Sequence, residues 1–269
     1  MVDDVVSREW SNASDAWAEF VRMGKDYFRE EMNNPAMFHM IGEVNKRQIL
    51  DLSCGEGYNT RILARKGAVV TGVDFSEEMI RLAAQEEAKE RLGIRYLVAD
   101  AANLKDLDSE SFDLVTCFMA LMDIEHYGEA VSEVARVLKK NTRFVFSITH
   151  PCFDVCETTD GETIALWRYV DSTESADMSS THLEMRRYFG IARCRVPWNM
   201  ARLVRPFETT AFHRTLTDYF QALHMSGFVV TRLVEPKPTP KGASAHPPLR
   251  KHILIPHSIV IEAMRQRTQ

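Results

Sequence analysis

Apolar positions in the first third of the chain recur on two different periods. Trp10, Trp17, Phe20, Met23 and Phe28 fall on a rough 3.6-residue period, which predicts an N-terminal helix. Asn33, Asn34 and Pro35 read as its break, with a second short helix after them. From residue 48 the rhythm changes. "QILDLS" predicts a strand, residues 58–66 a helix stopped by Gly67, and "AVVTGVD" a second strand. "SEEMIRLAAQEEAKERLG" predicts a helix with Ser76 as N-cap, Glu77 and Glu78 in its first turn and Gly93 as its stop. "IRYLVAD" and "FDLVTCF" are a third and a fourth strand. "IEHYGEAVSEVARVLKK" is a helix with Ala130, Val131, Val134, Ala135 and Leu138 on one face, and "RFVFSIT" is the fifth strand.

Strands that are apolar throughout and alternate with amphipathic helices predict an α/β fold, a mostly parallel sheet covered on both faces. Ligands of such sheets bind beyond the carboxyl ends of the strands, where strand order reverses. After residue 150 short aromatic-rich pieces follow ("ALWRYV", "LEMRRYF", "RCRVPW"), then a helix in "RTLTDYFQALHMSGF". A strand in "FVVTRLVEP", a proline-rich loop ("EPKPTPKGASAHPP") and a last strand in "SIVIEAMRQ" bring the expected sheet to seven strands. The division expected is a helical cover over residues 1–46 and one α/β domain over 47–269, in which residues 151–212 are an insertion on the substrate side.

Composition narrows the partners. The 269 residues are 45% hydrophobic and 26% charged, with a net charge of -5, so no broad positive field is offered to nucleic acid or an anionic membrane. Arg186, Arg187, Arg193 and Arg195 form a local basic group that reads as a solvated face. No apolar run reaches the roughly 18 residues of a spanning helix, and the acidic opening "MVDDVVSREWSNASD" lacks the apolar core of a secretory signal. Five cysteines, an odd number without framework spacing, are expected as reduced thiols of a cytoplasmic protein.

Candidate chemistry gathers at the strand ends. Asp51 is followed by Ser53, Gly55 and Gly57, where small residues let a backbone approach a ligand and offer N–H groups at a helix start. Asp74, nineteen residues past Gly55, closes the second strand, where a carboxylate can accept from ribose hydroxyls. Asp100 closes the third strand, with Ala101 next, and the mostly apolar "CFMALMD" follows the fourth. Carboxylates ending three consecutive strands repel one another unless each has a partner.

On these residues the stretch 48–148 resembles the core of the class I S-adenosylmethionine-dependent methyltransferases. "ILDLSCGEGYNT" is similar to that family's D-x-G-x-G-x-G loop, with Ser53 in place of its first glycine. "VTGVDFSEEMI" resembles the ribose-binding strand end, "VADAANL" the adenine corner and "FDLVTCFMALMDI" the fourth strand and the segment behind the cofactor. The resemblance implies S-adenosylmethionine as cofactor and a Rossmann-like, seven-stranded, mostly parallel sheet. It places Gly55 and Gly57 beneath the methionine moiety, Asp51 toward its amino group, Asp74 on the ribose, Phe75 and Met79 along the adenine, Asp100 and Ala101 at the adenine edge, and Phe118 and Met119 near the sulfonium. A nicotinamide dinucleotide fits less well, because G-x-G-x-x-G fails at Thr60.

On the acceptor side His150 and His213 are the candidate bases, and Trp10, Trp17, Trp167 and Trp198 suggest a partly apolar pocket for a small molecule. No metal is expected. Cys152, Cys156 and Cys194 are read as buried thiols or, alternatively, as a site for a soft metalloid. The function expected is methyl transfer to O, N or C of a small metabolite, against two alternatives: a nucleic-acid methyltransferase and a non-catalytic cofactor-binding protein.

Overall fold

The first strand, β1 (Gln48–Leu52), shows how the molecule is layered. Successive side chains of a strand point to opposite faces. Ile49 accordingly packs with Met37, Met40 and Ile41 on one side, while Leu50 and Leu52 join Phe144, Phe146, Val131 and Val134 on the other. Each face is covered, so after the exposed Gln48 the strand is apolar except at Asp51.

The computed structural model describes residues 4–169, 181–199 and 203–266. The start of the expected N-terminal cover (residues 1–3) and two stretches of the expected insertion (170–180 and 200–202) lie outside the described residues.

Around β1 are β2 (Val69–Asp74), β3 (Arg95–Val98), β4 (Phe112–Phe118), β5 (Leu138–Thr149), β11 (Phe228–Val234) and β12 (Ser258–Arg265). They form a seven-stranded sheet in the order β11-β12-β5-β4-β1-β2-β3. Only β12 runs against its neighbours. The chain leaves β1 for β2 and β3 on one side and crosses to β4 and β5 on the other, so strand order reverses between β1 and β4. Helices α2 (Asn34–Ile41), α3 (Tyr58–Arg65), α4 (Glu77–Glu90), α5 (Tyr127–Val137) and α6 (Leu216–Met225) accompany the sheet. Ser76 caps α4 as expected, its Oγ accepting from the Met79 N–H at 3.2 Å.

The elements after β5 form a second layer of structure over the strand ends. β6 (Glu157–Thr158), β9 (Ala192–Trp198) and β10 (Phe207–His213) make a small antiparallel sheet, and β7 (Ala165–Tyr169) pairs with β8 (Thr181–Met185). Helix α1 (Asp4–Arg22) lies against β10 and α4.

Three expected boundaries differ. Asn33, Asn34 and Pro35 do not break a helix, because a π-helical turn (Arg29–Asn33) runs straight into α2 with Pro35 in its first turn. A wider turn there accommodates a residue that has no N–H to donate. The break falls earlier, after Arg22. Helix α5 ends at Val137 rather than Lys140, and Leu138 already pairs with Phe112. Asn141, at a φ of 60°, then turns the chain before the pairing resumes at Arg143. The proline-rich stretch also holds structure: Thr239 caps α7 (Pro240–Ala245), with Pro240 at its start, and a 3-10 helix (Pro247–Ile253) follows. Among the described residues no helix is long and apolar enough to cross a membrane.

Candidate active site

A cavity of about 520 Å³ opens beyond the carboxyl ends of β1, β2, β3 and β4, beside the reversal of strand order. Its floor is the turn after β1. Ser53 and Gly55 have φ values of 53° and 57°, in the left-handed region that glycine enters freely and serine enters at about 1–2 kcal/mol. The turn is tied down by the Cys54 N–H donating to the Val73 carbonyl at 2.9 Å and the Gly55 N–H to Asp74 Oδ2 at 2.9 Å.

All of the expected cofactor residues line this cavity except Gly57. Gly57 serves packing instead: with a φ of 80°, a Cβ there would lie 2.3 Å from the Tyr96 hydroxyl oxygen, so only glycine lets α3 start under that ring. Asp51, 1% exposed, accepts from Thr60 Oγ1 at 2.6 Å and Thr116 Oγ1 at 2.8 Å. Thr60, the residue that spoils the dinucleotide pattern, thus spends its hydroxyl on this carboxylate. Asp74, 5% exposed, also takes the Ser76 N–H on Oδ1 at 3.0 Å. Burial pushes both acids up to about 6, against the pull of these hydrogen bonds. Asp100 Oδ1 holds the Ala102 N–H at 2.9 Å. Phe118 stacks at a tilt on Phe38, and Met119, at a φ of 50°, donates its N–H to the Ser147 carbonyl and Oγ, each at 3.0 Å.

The roof comes from α1 and the small sheet. Trp17 meets Trp10 at 5.7 Å and Trp198 at 5.0 Å, both edge to face. Glu9 accepts from the Thr210 N–H at 2.7 Å, Ser11 shares a 2.9 Å hydrogen bond with Ser76, and Arg22 pairs with Glu56 at 3.0 Å. The far wall holds Phe28, Trp167, His252 and His257, with Lys251 over the Trp167 ring.

Neither expected base lines the cavity, and both have their ring nitrogens engaged. His150 Nδ1 accepts from the Cys152 N–H at 3.2 Å, which leaves Nε2 to donate to Glu235 at 2.9 Å. His213 Nε2 lies 2.9 Å from the Tyr188 carbonyl oxygen and Nδ1 3.3 Å from Asp154 Oδ2. Burial lowers the pKa of His150 despite Glu235; for His213 the hydrogen bonds to Asp154 and Tyr188 outweigh burial and raise it. Two residues outside the sequence expectation do face the cavity. Burial and the neighbouring His252 bring His257 down to about 3, so its imidazole is neutral, and neither ring nitrogen has a hydrogen-bond partner among the described residues. Asp123 is pushed well up by burial, against the attraction of Arg214.

The basic group of the sequence is largely neutralised. Arg186 pairs with Glu184, Arg187 with Glu162, and Arg193 with Glu125.

A family model described as "Methyltransferase domain" matches residues 50–146. The chain is 33% identical over 107 residues to a ubiquinone biosynthesis O-methyltransferase from Alkalilimnicola ehrlichii, a match covering 40% of this chain and 43% of the relative. It is 26% identical over 215 residues, 77% of each chain, to an uncharacterized protein from Haemophilus influenzae. The crystal structure of an S-adenosylmethionine-dependent methyltransferase from Mesorhizobium loti superposes with a TM-score of 0.67 at 28% identity, covering 86% of this chain and 96% of that one.

Residues 50–146 carry a methyltransferase domain of the class I S-adenosylmethionine-dependent type. The chain spans less than half the length of curated relatives such as the A. ehrlichii O-methyltransferase. The methyltransferase core carries the sheet, the turn after β1 and the acids at the ends of β1 to β3. Its donor set suits the family's cofactor. Asp51 and Asp74 have no cationic partner among the described residues, Gly55 is open enough that a Cβ would touch nothing within 4 Å, and Phe75 and Met79 supply an apolar wall.

Proposed function

We propose that this protein transfers a methyl group from S-adenosylmethionine to O, N or C of a small, partly apolar metabolite. One observation carries the reading: Asp51, Asp74 and Asp100, closing three neighbouring strands, face a single cavity at the point where strand order reverses. On this reading residues 47–269 are the methyltransferase domain, residues 1–46 its helical cover and residues 151–212 the acceptor-side insertion.

When bound, the cofactor supplies a methyl carbon already activated by a sulfonium. The protein's work is then alignment and the exclusion of water, and alignment alone is worth several kcal/mol. Asp51 faces the methionine amino group and Asp74 accepts from the ribose hydroxyls. Gly55 lets the backbone pass under the methionine chain, Asp100 and the Ala101 N–H take the adenine edge, and Phe118 and Met119 border the methyl. Trp10, Trp17 and Trp198 close the cavity over the acceptor. An acceptor that arrives protonated needs its hydrogen oriented, and His257, on the cavity wall and without a hydrogen-bond partner among the described residues, is placed to accept from it; at about 3 its imidazole is too weak a base to keep the proton at neutral pH. The O-methyltransferase name of the A. ehrlichii relative favours an oxygen nucleophile.

The test is thermal melting with ligands, followed by turnover. S-adenosylhomocysteine should raise the melting temperature and NAD should not, because only a ligand of the native state stabilises it. Incubation with S-adenosylmethionine and a panel of phenolic acceptors should then release S-adenosylhomocysteine. A larger shift with NAD would overturn the cofactor assignment. Binding without release across the panel would favour a non-catalytic protein.

A further inference from the structure

The residues at the start of β6 and the end of β10 bring a second set of donors together beside the cavity. A ligand atom of Asp154, one of Cys156 and one of His213 all lie within 4.8 Å of one another. Cys194, on β9, neighbours this group, paired across the small sheet with Thr158 of β6 and Ala211 of β10. Cys194 and His213 are each 1% exposed, while Asp154, Cys156 and Cys194 reach the cavity wall.

The protonation pattern of His213 decides what the cluster is for. A carbonyl oxygen only accepts, so the ring nitrogen 2.9 Å from the Tyr188 carbonyl, Nε2, carries a proton. Nδ1 faces Asp154 Oδ2 at 3.3 Å, and the Cys156 thiol donates to that same oxygen at 4.0 Å. A cation can take the places that protons hold between these donors, because thiol and imidazole release their protons when they bind a metal. An imidazole fixed through one nitrogen by a backbone carbonyl, with the other aimed at sulfur and carboxylate oxygen, has the arrangement of a metal ligand and its support.

We propose that Asp154, Cys156, His213 and Cys194 form a site for a thiophilic divalent cation, Zn²⁺, in the wall of the cavity. One imidazole nitrogen, one carboxylate oxygen and two thiolates make a tetrahedral set of the kind zinc takes. Bonds of about 2.0–2.3 Å in a tetrahedron put ligand atoms roughly 3.3–3.8 Å apart, so the three clustered donors need shift by little more than about 1 Å. Binding displaces protons from the thiols, and the cation ties the segment after β5 to the β9–β10 hairpin. The site uses none of the residues proposed to hold the cofactor.

The full-length protein, kept reduced, is freed of metal with EDTA and titrated with Zn²⁺ against a chromophoric chelator, and in parallel with Co²⁺. One equivalent of Zn²⁺ should bind, and Co²⁺ should give a thiolate charge-transfer band. Cys156→Ser and His213→Gln should each lower zinc affinity by at least about 100-fold, since even residues that only support a ligand are worth 10–100-fold. Asp154→Asn serves where either variant fails to fold. In the zinc-free protein the melting shift with S-adenosylhomocysteine should persist, which separates failure here from failure of the cofactor reading. Three results would overturn the proposal: no stoichiometric uptake, uptake unaffected by any of the variants, or a loss of two hydrogens in the intact mass, marking a Cys156–Cys194 disulfide, without zinc uptake.

Discussion

Replacing Asp74 isolates the cofactor end of the cavity. Its carboxylate accepts the Gly55 N–H on one oxygen and the Ser76 N–H on the other, so it joins the turn after β1 to the start of α4 while still facing the cavity. Asp74→Ala removes both bonds and any to a ligand. Two contributions to stability then oppose each other. Leaving the Ser76 N–H unpaired in the core costs about 1–3 kcal/mol, while Gly55 borders the cavity, where its N–H can meet water at smaller cost. Against this, a carboxyl raised from 3.8 to about 6 holds its charge at neutral pH at a cost of up to about 3 kcal/mol, which the alanine relieves. The two are of similar size, so the melting temperature should move by a few degrees at most.

Affinity has no such compensation. Hydrogen bonds from ligand hydroxyls to a charged acceptor contribute about 1.5–3 kcal/mol, so S-adenosylhomocysteine should bind roughly 10- to 150-fold more weakly. Isothermal calorimetry on the folded variant reads this directly. Asp74→Asn, which keeps the shape and one acceptor, should fall between wild type and alanine. An unchanged dissociation constant in a variant that melts normally would remove Asp74 from the ribose site and with it the central assignment at the end of β2.

The raised acids give a pH dependence of definite sign. Their folded pKa values, about 6, lie above the ordinary 3.8, so the empty protein binds more protons than the unfolded chain between those values, and its stability should decline as pH rises through 4 to 6. A ligand that takes the ionised carboxylates should therefore bind more tightly across the same window and release protons; calorimetry in buffers of different ionisation enthalpy that detected proton uptake would contradict this. The roof supplies the other expectation. If α1 must open to admit ligand, hydrogen exchange of residues 8–22 should slow on binding S-adenosylhomocysteine, and more than in β5; equal protection with and without ligand would make α1 a fixed cover.

The edge that carries the proposed cofactor residues was legible in the sequence because its signals are local. A parallel strand ends where its apolar run ends, so Asp51, Asp74 and Asp100 could be set on one edge from periodicity alone. Gly57 shows the limit of that logic: its spacing reads as ligand contact, yet its neighbour is Tyr96, thirty-nine residues further on (96 − 57) in β3. The acceptor half depends on direction and long-range pairing. His150 directly follows β5 in sequence, but its ring nitrogens are held by the Cys152 N–H and Glu235. Because β12 is antiparallel, its beginning lies on the active edge, and His257 sits just before Ser258, which pairs with Thr149. The signal was a histidine preceding, not ending, the last strand. His213 was found at a strand end, but on β10, where Tyr188 and Asp154 occupy its nitrogens.

The cavity carries an electrostatic imbalance that links its two halves. Asp51, Asp74 and Asp123 face it, all with pKa values raised mainly by burial. On the opposite wall burial drives His252 to about 4 and His257 to about 3, which removes the positive charge those rings could otherwise offer. The empty cavity is therefore rich in acids and poor in cations, and in surroundings of low polarity each ionised acid raises the energy of the next. A neutral apolar ligand would relieve none of this. A cationic one relieves it at the acid wall, and the neutral imidazoles opposite add no positive charge against it. The burial that makes the ionised acids costly thus favours a positively charged cofactor on their wall, and opening the roof of Trp10, Trp17 and Trp198 should weaken that preference by letting water screen the acids.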